Sequence, residues 1–308
     1  MERTRFEAAT PNVRFVVPES LEHAMRLAPD VHGADGRHCT PEFLAAAEQL
    51  VWVQSPSAGV AWLLEREGIR ERDEIVVTNM QGVHGPAIAE HVFGMLLTLT
   101  RDIGYHQHPD QRGAWNREGS GRERIALSGR TILVVGLGGI GREVARRGHG
   151  FDMEVLATRR SRTAPPAYVD RQGTAGELEA MLPLADVVVL CVPLTSETEG
   201  MMNERTLGLM KPGAYLVNIA RGRVVDTDAL VAALDSGRLA GACLDVTDPE
   251  PLPPGHALWD MPNVVITPHV ASRAALTSER RADLLEANVR RFGAGEPLLN
   301  VVDKSAGY

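Results

Sequence analysis

The sequence has little that would tie it to an oxidising compartment, a membrane or nucleic acid. It holds three cysteines in 308 residues, and Cys39, Cys191 and Cys243 lie far apart with no CxxC pair. An odd number of scattered thiols gives neither a disulfide framework nor a zinc-ligand spacing, so no metal is expected and a reducing cytoplasm is the expected setting. Apolar runs of the roughly 18 residues needed to span a bilayer are missing. Met1–Thr10 is polar and mixed in charge, unlike a secretory signal. Positive charge is in deficit: 32 Lys and Arg stand against 40 Asp and Glu, a net charge of −8. A nucleic-acid partner requires a basic face, so none is expected, while a local basic pocket for a small anion stays compatible. The sequence also shows no internal repeat and no low-complexity tract.

What is present is the patterning of a layered α/β protein. At about 150 residues per domain the length allows two domains, and 44% hydrophobic residues suffice for large cores. Short apolar runs recur at Thr131–Gly136, Glu154–Thr158, Asp186–Val192, Ala214–Ile219, Gly241–Val246 and Asn263–Thr267. They lack strict alternation, which marks strands buried on both faces. Helical segments such as Ile140–Gly150 and Thr227–Ser236 lie between them, so the pattern reads as βαβ units around a Rossmann-type, doubly wound parallel sheet. Earlier in the chain, Arg14–Pro18, Leu50–Gln54 and Glu74–Thr78 are strand candidates, and Pro86–Thr100 reads as a strongly apolar, buried helix. The polar stretch Tyr105–Gly129 separates the two styles. The amphipathic tail, Ser278–Phe292, has the pattern of a helix able to pack back on the first domain.

Gly136-Leu-Gly138-Gly139-Ile140-Gly141 follows a strand and opens a helix, the setting a dinucleotide-binding GxGxxG requires. The first glycine permits the tight turn, the second lets backbone approach a pyrophosphate, and the third lets helix pack on strand. The helix N-terminus adds amides and partial positive charge. At the end of the next strand, NAD sites place a carboxylate for the ribose hydroxyls. Here stand Arg159, Arg160 and Ser161. Two guanidiniums and a hydroxyl suit a 2′-phosphate, so NADP(H) is the expected cofactor, with NAD(H) as the other possibility.

Reduction of a 2-keto acid needs a cation for the carboxylate and carbonyl, an acid for the developing alkoxide, and a partner that keeps that acid charged and oriented. Arg221, in Asn218-Ile-Ala220-Arg221-Gly222, suits the first role because its planar fork matches a carboxylate. His269, in Thr267-Pro268-His269, suits the second because imidazole titrates near neutral pH. Glu250, in Asp248-Pro-Glu250-Pro251, suits the third as a hydrogen-bond acceptor. All three lie just beyond strand candidates downstream of the glycine loop, where ligands bind in open α/β sheets.

These motifs, GLGGIG, NIARGRVVD at 218–226, LDVTDPEPLP at 244–253, NVVITPH at 263–269 and LLNVVD at 298–303, resemble the D-2-hydroxyacid dehydrogenase family over nearly the whole chain. The resemblance implies the same roles for Arg221, Glu250 and His269. It also implies a smaller, flavodoxin-like α/β substrate domain. The implied division is a substrate-binding part over 1–98, a dinucleotide-binding domain over 99–276, and a C-terminal helix at 277–308 returning to the first part. Ser57-Ala58-Gly59 matches the loop whose amides hold the substrate carboxylate. Asp245 and Ala220 match residues beside the cofactor, and Val192 and Pro193 match the segment that passes it. With Arg159 and Arg160, the chain looks most like the NADPH-preferring glyoxylate/hydroxypyruvate reductase branch, and a homodimer is expected.

Two departures leave alternatives open. Val270-Ala271-Ser272-Arg273 follows the histidine in place of the family's usual small residues, and Arg273 reads equally as a recogniser of a second anionic group and as a surface residue capping the next helix. Trp115 matches an aromatic of the arm that family dimers exchange, and reads as well as a buried tryptophan in a polar loop. A second functional class, a dinucleotide-sensing corepressor-like protein, would call for interaction-bearing tails, whereas this chain ends at Tyr308, soon after the family's last segment. Oxidation of an inorganic anion such as phosphite would suit a lysine in the 57–59 loop, which has none.

Overall fold

The computed structural model describes residues 6, 10, 12–111, 113–160, 164–305 and 307. The chain divides into two compact units, Met1–His84 with Ala274–Tyr308, and Gly85–Arg273. The sequence pattern put the first boundary at 98–99. It falls instead before Gly85, because the helix Gly85–Thr100 buries its apolar face in the core of the second unit. Ile88, Ala89, Val92, Phe93, Leu96 and Leu99 form that face at the three- and four-residue spacing of a helix, and Pro86 sits in the first turn, where a missing amide costs nothing.

The first unit holds a parallel sheet in the order β1 (Gly33–Asp35), β2 (Trp52–Gln54), β3 (Val76–Thr78). Its core gathers Leu50, Val53, Leu63, Ile69, Ile75 and Val77. Arg14–Pro18, expected as a strand, joins no ladder, and Val17 is exposed. Three apolar residues in a row cannot distinguish extended coil from a strand when no neighbouring strand is there to pair with it. The short β1, with two glycine-flanked residues, carries no apolar run and was illegible in the sequence. The helix Ala275–Ala294 belongs to this unit. Buried Asn288 donates to Gln54 Oε1 at 3.3 Å and accepts from Leu299 N at 2.7 Å, and Val302 N donates to Val77 O at 2.8 Å. These bonds stitch the C-terminal segment to β2 and β3.

The second unit is a seven-stranded, all-parallel sheet. Its strands are β4 (Thr131–Val135), β5 (Glu154–Arg159), β6 (Arg171–Thr174), β7 (Val187–Leu190), β8 (Ala214–Asn218), β9 (Leu239–Leu244) and β10 (Val264–Ile266). They lie in the order β10-β9-β8-β7-β4-β5-β6. Winding reverses between β4 and β7, and at such a switch point the loops beyond the strand ends part to form a crevice. Both faces are covered. Ile132 and Val134 of β4 join a core with the helix Gly85–Thr100, whereas Leu133 and Val135 join one with Met181, Leu182, Leu207 and Leu230. This double burial is why the strands read as continuous apolar runs. β6, with Arg171-Gln-Gly-Thr174, is a polar edge strand that the pattern missed.

Candidate active site

The glycine loop fills the first strand-to-helix turn beside the switch point. Gly136 has φ +101°, and a Cβ there would come within 2.8 Å of the Cys191 carbonyl oxygen. This glycine therefore serves twice, for the left-handed turn and for close packing on the Cys191–Val192 segment after β7. A Cβ at Gly141 would stand 2.1 Å from the Gly136 carbonyl, so helix and strand close on each other only with glycine at that position. At Gly138, which caps the helix Gly139–Gly150, a Cβ would meet nothing within 4 Å. The backbone is open there, and the first-turn amides of Gly139, Ile140 and Gly141 belong to a helix start. Val192 is half-buried beside this loop, and Pro193, exposed, accepts from Thr198 Oγ1 at 2.6 Å. Arg159 ends β5, half-buried, and Arg160 follows it, exposed. Ser161 lies outside the described residues.

The chemistry-bearing residues gather at three adjacent strand ends. Asn218 of β8 pairs in register with Leu244 of β9, and Leu244 with Ile266 of β10. Arg221, Asp245 and His269 follow these strands by three, one and three residues. Arg221 is exposed, and its Nη1 donates to the Ala220 carbonyl at 2.6 Å. Ala220, buried, donates its amide to Asn218 Oδ1 at 3.0 Å. Gly222 packs so closely on the Thr247 carbonyl that a Cβ would come within 1.8 Å of it. The Arg221 turn is thereby locked to the segment that carries Glu250. Thr227 Oγ1, donating to Asp248 O at 2.9 Å, adds a second tie.

Glu250 Oε1 lies 2.7 Å from His269 Nδ1, and both side chains are about half-exposed. This charge-capable pair engages Nδ1 and leaves Nε2 for proton exchange with a ligand. His269 has φ +53°, the left-handed region that non-glycine residues rarely occupy. Asp245 holds the turn there. Its backbone carbonyl accepts from His269 N at 2.9 Å. Its carboxylate, on a residue 3% exposed, accepts from Thr267 Oγ1 at 2.6 Å, Val270 N at 2.9 Å and Ala271 N at 3.0 Å. The sequence reading placed Asp245 beside the cofactor. The structure shows a buried carboxylate bonded to the turn at 267–271. His91, on the helix Gly85–Thr100, completes the cluster, with Nε2 at 2.9 Å from Thr267 Oγ1 and 3.6 Å from Asp245 Oδ1. Neither His91 nor Thr267 was singled out from the sequence, because nothing local links residues 176 positions apart.

In the first unit, the Ser57–Gly59 loop follows β2. All three of its carbonyls are taken by internal donors. Ser57 O accepts from Met80 N at 3.1 Å and Ser55 Oγ at 3.0 Å. Ala58 O accepts from Asn79 Nδ2 at 3.0 Å, and Gly59 O from Ser57 Oγ at 2.7 Å and Trp62 Nε1 at 3.2 Å. In a trans peptide the amide points opposite to the carbonyl, so the N–H groups that follow are turned away from these donors. Among the described residues, no acceptor engages the amides of Ala58 and Gly59. The arrangement can bind an anion through backbone amides. Asn79 and Trp62 are further residues the sequence did not flag.

Trp115 is 87% exposed with φ +46°, which excludes the reading of a buried tryptophan. Arg273 is exposed as well. Burial pushes the Cys191 thiol, near the glycine loop, up to about 12, so it stays a neutral thiol at physiological pH.

The chain is similar to known proteins over most of its length. Residues 93–271 match the family model of the D-isomer specific 2-hydroxyacid dehydrogenase NAD binding domain. A glyoxylate reductase from Pyrococcus furiosus is 41% identical over 238 residues, 76% of this chain and 70% of that protein. Two solved structures superpose over nearly the whole chain. A D-isomer specific 2-hydroxyacid dehydrogenase from Xanthobacter autotrophicus in complex with NADPH and MES has 33% identity and a TM-score of 0.78, covering 100% of this chain and 95% of that one. An NADPH-dependent glyoxylate/hydroxypyruvate reductase from Sinorhizobium meliloti in complex with NADP and sulfate has 28% identity and a TM-score of 0.82, covering 100% and 96%. The match over more than half of the chain, on a doubly wound sheet with a glycine loop and a His–Glu pair at its strand ends, makes this chain a member of the D-isomer specific 2-hydroxyacid dehydrogenase family, an NAD(P)-dependent oxidoreductase acting on 2-keto and 2-hydroxy acids.

Proposed function

We propose that this protein reduces glyoxylate to glycolate, or hydroxypyruvate to D-glycerate, with NADPH, His269 giving the proton. The observation that carries the proton assignment is the 2.7 Å contact of His269 Nδ1 with Glu250, which leaves Nε2 as the exchanging nitrogen. NADPH, when bound, supplies the hydride. The glycine loop suits its pyrophosphate, since Gly138 leaves open space where backbone must approach a phosphate. Arg159 and Arg160 suit its 2′-phosphate by charge and by position at the end of β5, and Ser161 follows them in the sequence with a hydroxyl. Arg221 holds the substrate carboxylate and polarises the carbonyl, and the outward amides of the Ser57–Gly59 loop suit an anionic group. Glu250 orients the ring through Nδ1. Kinship with glyoxylate and glyoxylate/hydroxypyruvate reductases supports the substrate class.

The test is a panel of glyoxylate, hydroxypyruvate, pyruvate, 2-ketoisovalerate and phenylpyruvate, each with NADPH and NADH. The highest kcat/KM is expected with one of the first two substrates. NADPH is expected to be favoured by about tenfold to a hundredfold, the worth of one or two charge-assisted contacts. Equal or better use of NADH overturns the cofactor assignment. Turnover itself separates this reading from that of a dinucleotide-sensing corepressor.

We further propose a cytoplasmic homodimer. The exposed Trp115 stands on an arm anchored by buried Asp102, whose carboxylate accepts from Ser120 N at 2.9 Å and Ser120 Oγ at 2.7 Å. A large exposed apolar side chain suits an isologous two-fold contact. Light scattering at micromolar concentration should give twice the 33.4 kDa chain mass, and a purely monomeric mass refutes the dimer.

A further inference from the structure

The histidine at the strand ends has a second histidine behind it. Thr267 Oγ1 sits 2.6 Å from Asp245 Oδ1, the shortest contact in the cluster, and an ionised carboxylate can only accept there. The single hydroxyl proton of Thr267 is therefore committed to Asp245. Consequently Oγ1 is an acceptor toward His91 Nε2 at 2.9 Å, and His91 must carry its proton on Nε2. The same Oδ1 accepts from Val270 N at 2.9 Å, while Oδ2 accepts from Ala271 N at 3.0 Å. These two amides, with His269 N bonded to the Asp245 carbonyl, fix the chain on both sides of His269 at its φ of +53°. The network runs from the helix Gly85–Thr100 through Thr267 and Asp245 to the backbone of His269, and Thr267 Oγ1, also 3.6 Å from Met95 Sδ, makes its shorter contact with Asp245.

We propose that His91 is a positioning residue for the proton donor: by donating Nε2–H to Thr267 it sets the hydroxyl toward Asp245 and so aims the His269 ring. This proposal rests on the reading of His269 as proton donor. His91 contacts Thr267 and Asp245, and acts on His269 through them. Its effect comes from denying Thr267 an alternative rotamer. Without a donor at Nε2, Oγ1 loses its partner on that side, and the threonine is freer to turn from the carboxylate that orders the 267–271 turn. A left-handed residue keeps its conformation only while its surroundings over-determine it. The geometry of proton transfer is sensitive to shifts of this size.

The experiment compares His91→Ala, His91→Gln, Thr267→Val and His269→Ala with the wild-type holoenzyme. kcat, both KM values, the solvent deuterium isotope effect on kcat and Tm are measured for each. His91→Ala and Thr267→Val should lower kcat by about tenfold to a hundredfold, leave KM for NADPH and keto acid within about twofold, and raise the isotope effect as proton transfer slows. His91→Gln, which returns a donor near the Nε2 position, should recover most of kcat. A purely structural role for His91 predicts kcat tracking Tm, an unchanged isotope effect and no rescue by glutamine, and that result overturns the proposal. If His269→Ala is inactive while His91→Ala turns over normally, the relay falls and the proton donor stands. If His269→Ala itself keeps normal kcat, the proton-donor reading falls and the relay falls with it.

Discussion

Two turns in this molecule are pinned by opposite chemistry. The turn at 267–271 is held by an acceptor, the buried Asp245 carboxylate, which takes the amides of Val270 and Ala271 and the hydroxyl of Thr267. The loop at 57–59 is held by donors, Asn79, Trp62 and Ser55, which take its carbonyls. An acceptor consumes the N–H side of the backbone, so what the first turn has left to offer a ligand is a side chain, His269. Donors consume the C=O side, so what the second loop has left to offer is amides. The sign of the pinning group decides which half of the peptide stays available: an imidazole side chain in one turn, unpaired backbone amides in the other.

This contrast can be broken at either end, and the largest effect is expected where the presented group itself is removed. His269→Ala should lower kcat of reduction by about 10²–10⁴ with KM for NADPH nearly intact, as measured by steady-state kinetics at saturating cofactor. In the wild type, reduction requires the imidazolium and oxidation the neutral ring. The two directions should therefore show opposite limbs against pH, and parallel limbs count against the assignment.

A smaller effect is expected from reversing the pin while keeping its shape. In Asp245→Asn one of the two amide-facing oxygens becomes an NH₂, so a donor meets the N–H of Val270 or Ala271 and the left-handed turn loses support. We expect a loss of kcat of about tenfold to a hundredfold, by analogy with other removed orienting partners. A change confined to KM for NADPH would instead favour the cofactor-facing role that the sequence resemblance gave this residue.

The reciprocal swap, Asn79→Asp, should be milder. Asn79 Oδ1 accepts from Gln81 N at 3.0 Å, which fixes Nδ2 toward Ala58 O. Aspartate would set an oxygen against that carbonyl and turn the loop amides. The loss of roughly one hydrogen bond, about 1–1.5 kcal/mol, should raise KM for the keto acid by about fivefold to tenfold. Here kcat should hold within twofold. A drop in kcat with unchanged KM would show that the loop does not anchor the substrate.

Much of the second unit was legible before any coordinates. β4, β5, β7, β8, β9 and β10 each follow an apolar run, because a parallel strand buried on both faces has no polar positions to disguise it. GLGGIG could be interpreted because its glycines meet local demands: a positive φ at Gly136 and close backbone contacts at Gly136 and Gly141. Arg221, Glu250 and His269 stood out because each follows a recognisable strand or turn. The first unit was harder. β1 has no apolar run, and Arg14–Pro18 has the residues of a strand without a partner to pair with. The boundary before Gly85 depended on which core the helix Gly85–Thr100 would enter, and its apolar face fits any core.

The sequence by itself determined the doubly wound sheet, the glycine loop and which charged and titratable residues follow its strands, since these rest on periodicity and local backbone demands. Only the tertiary structure decided that Asp245 is a buried acceptor beneath the 267–271 turn, that His91 reaches it through Thr267, and that Asn79 and Trp62 hold the carbonyls of the 57–59 loop. Those roles depend on hydrogen bonds between residues distant in the chain, whose partners are set by strand order and helix packing and leave no periodicity in the sequence.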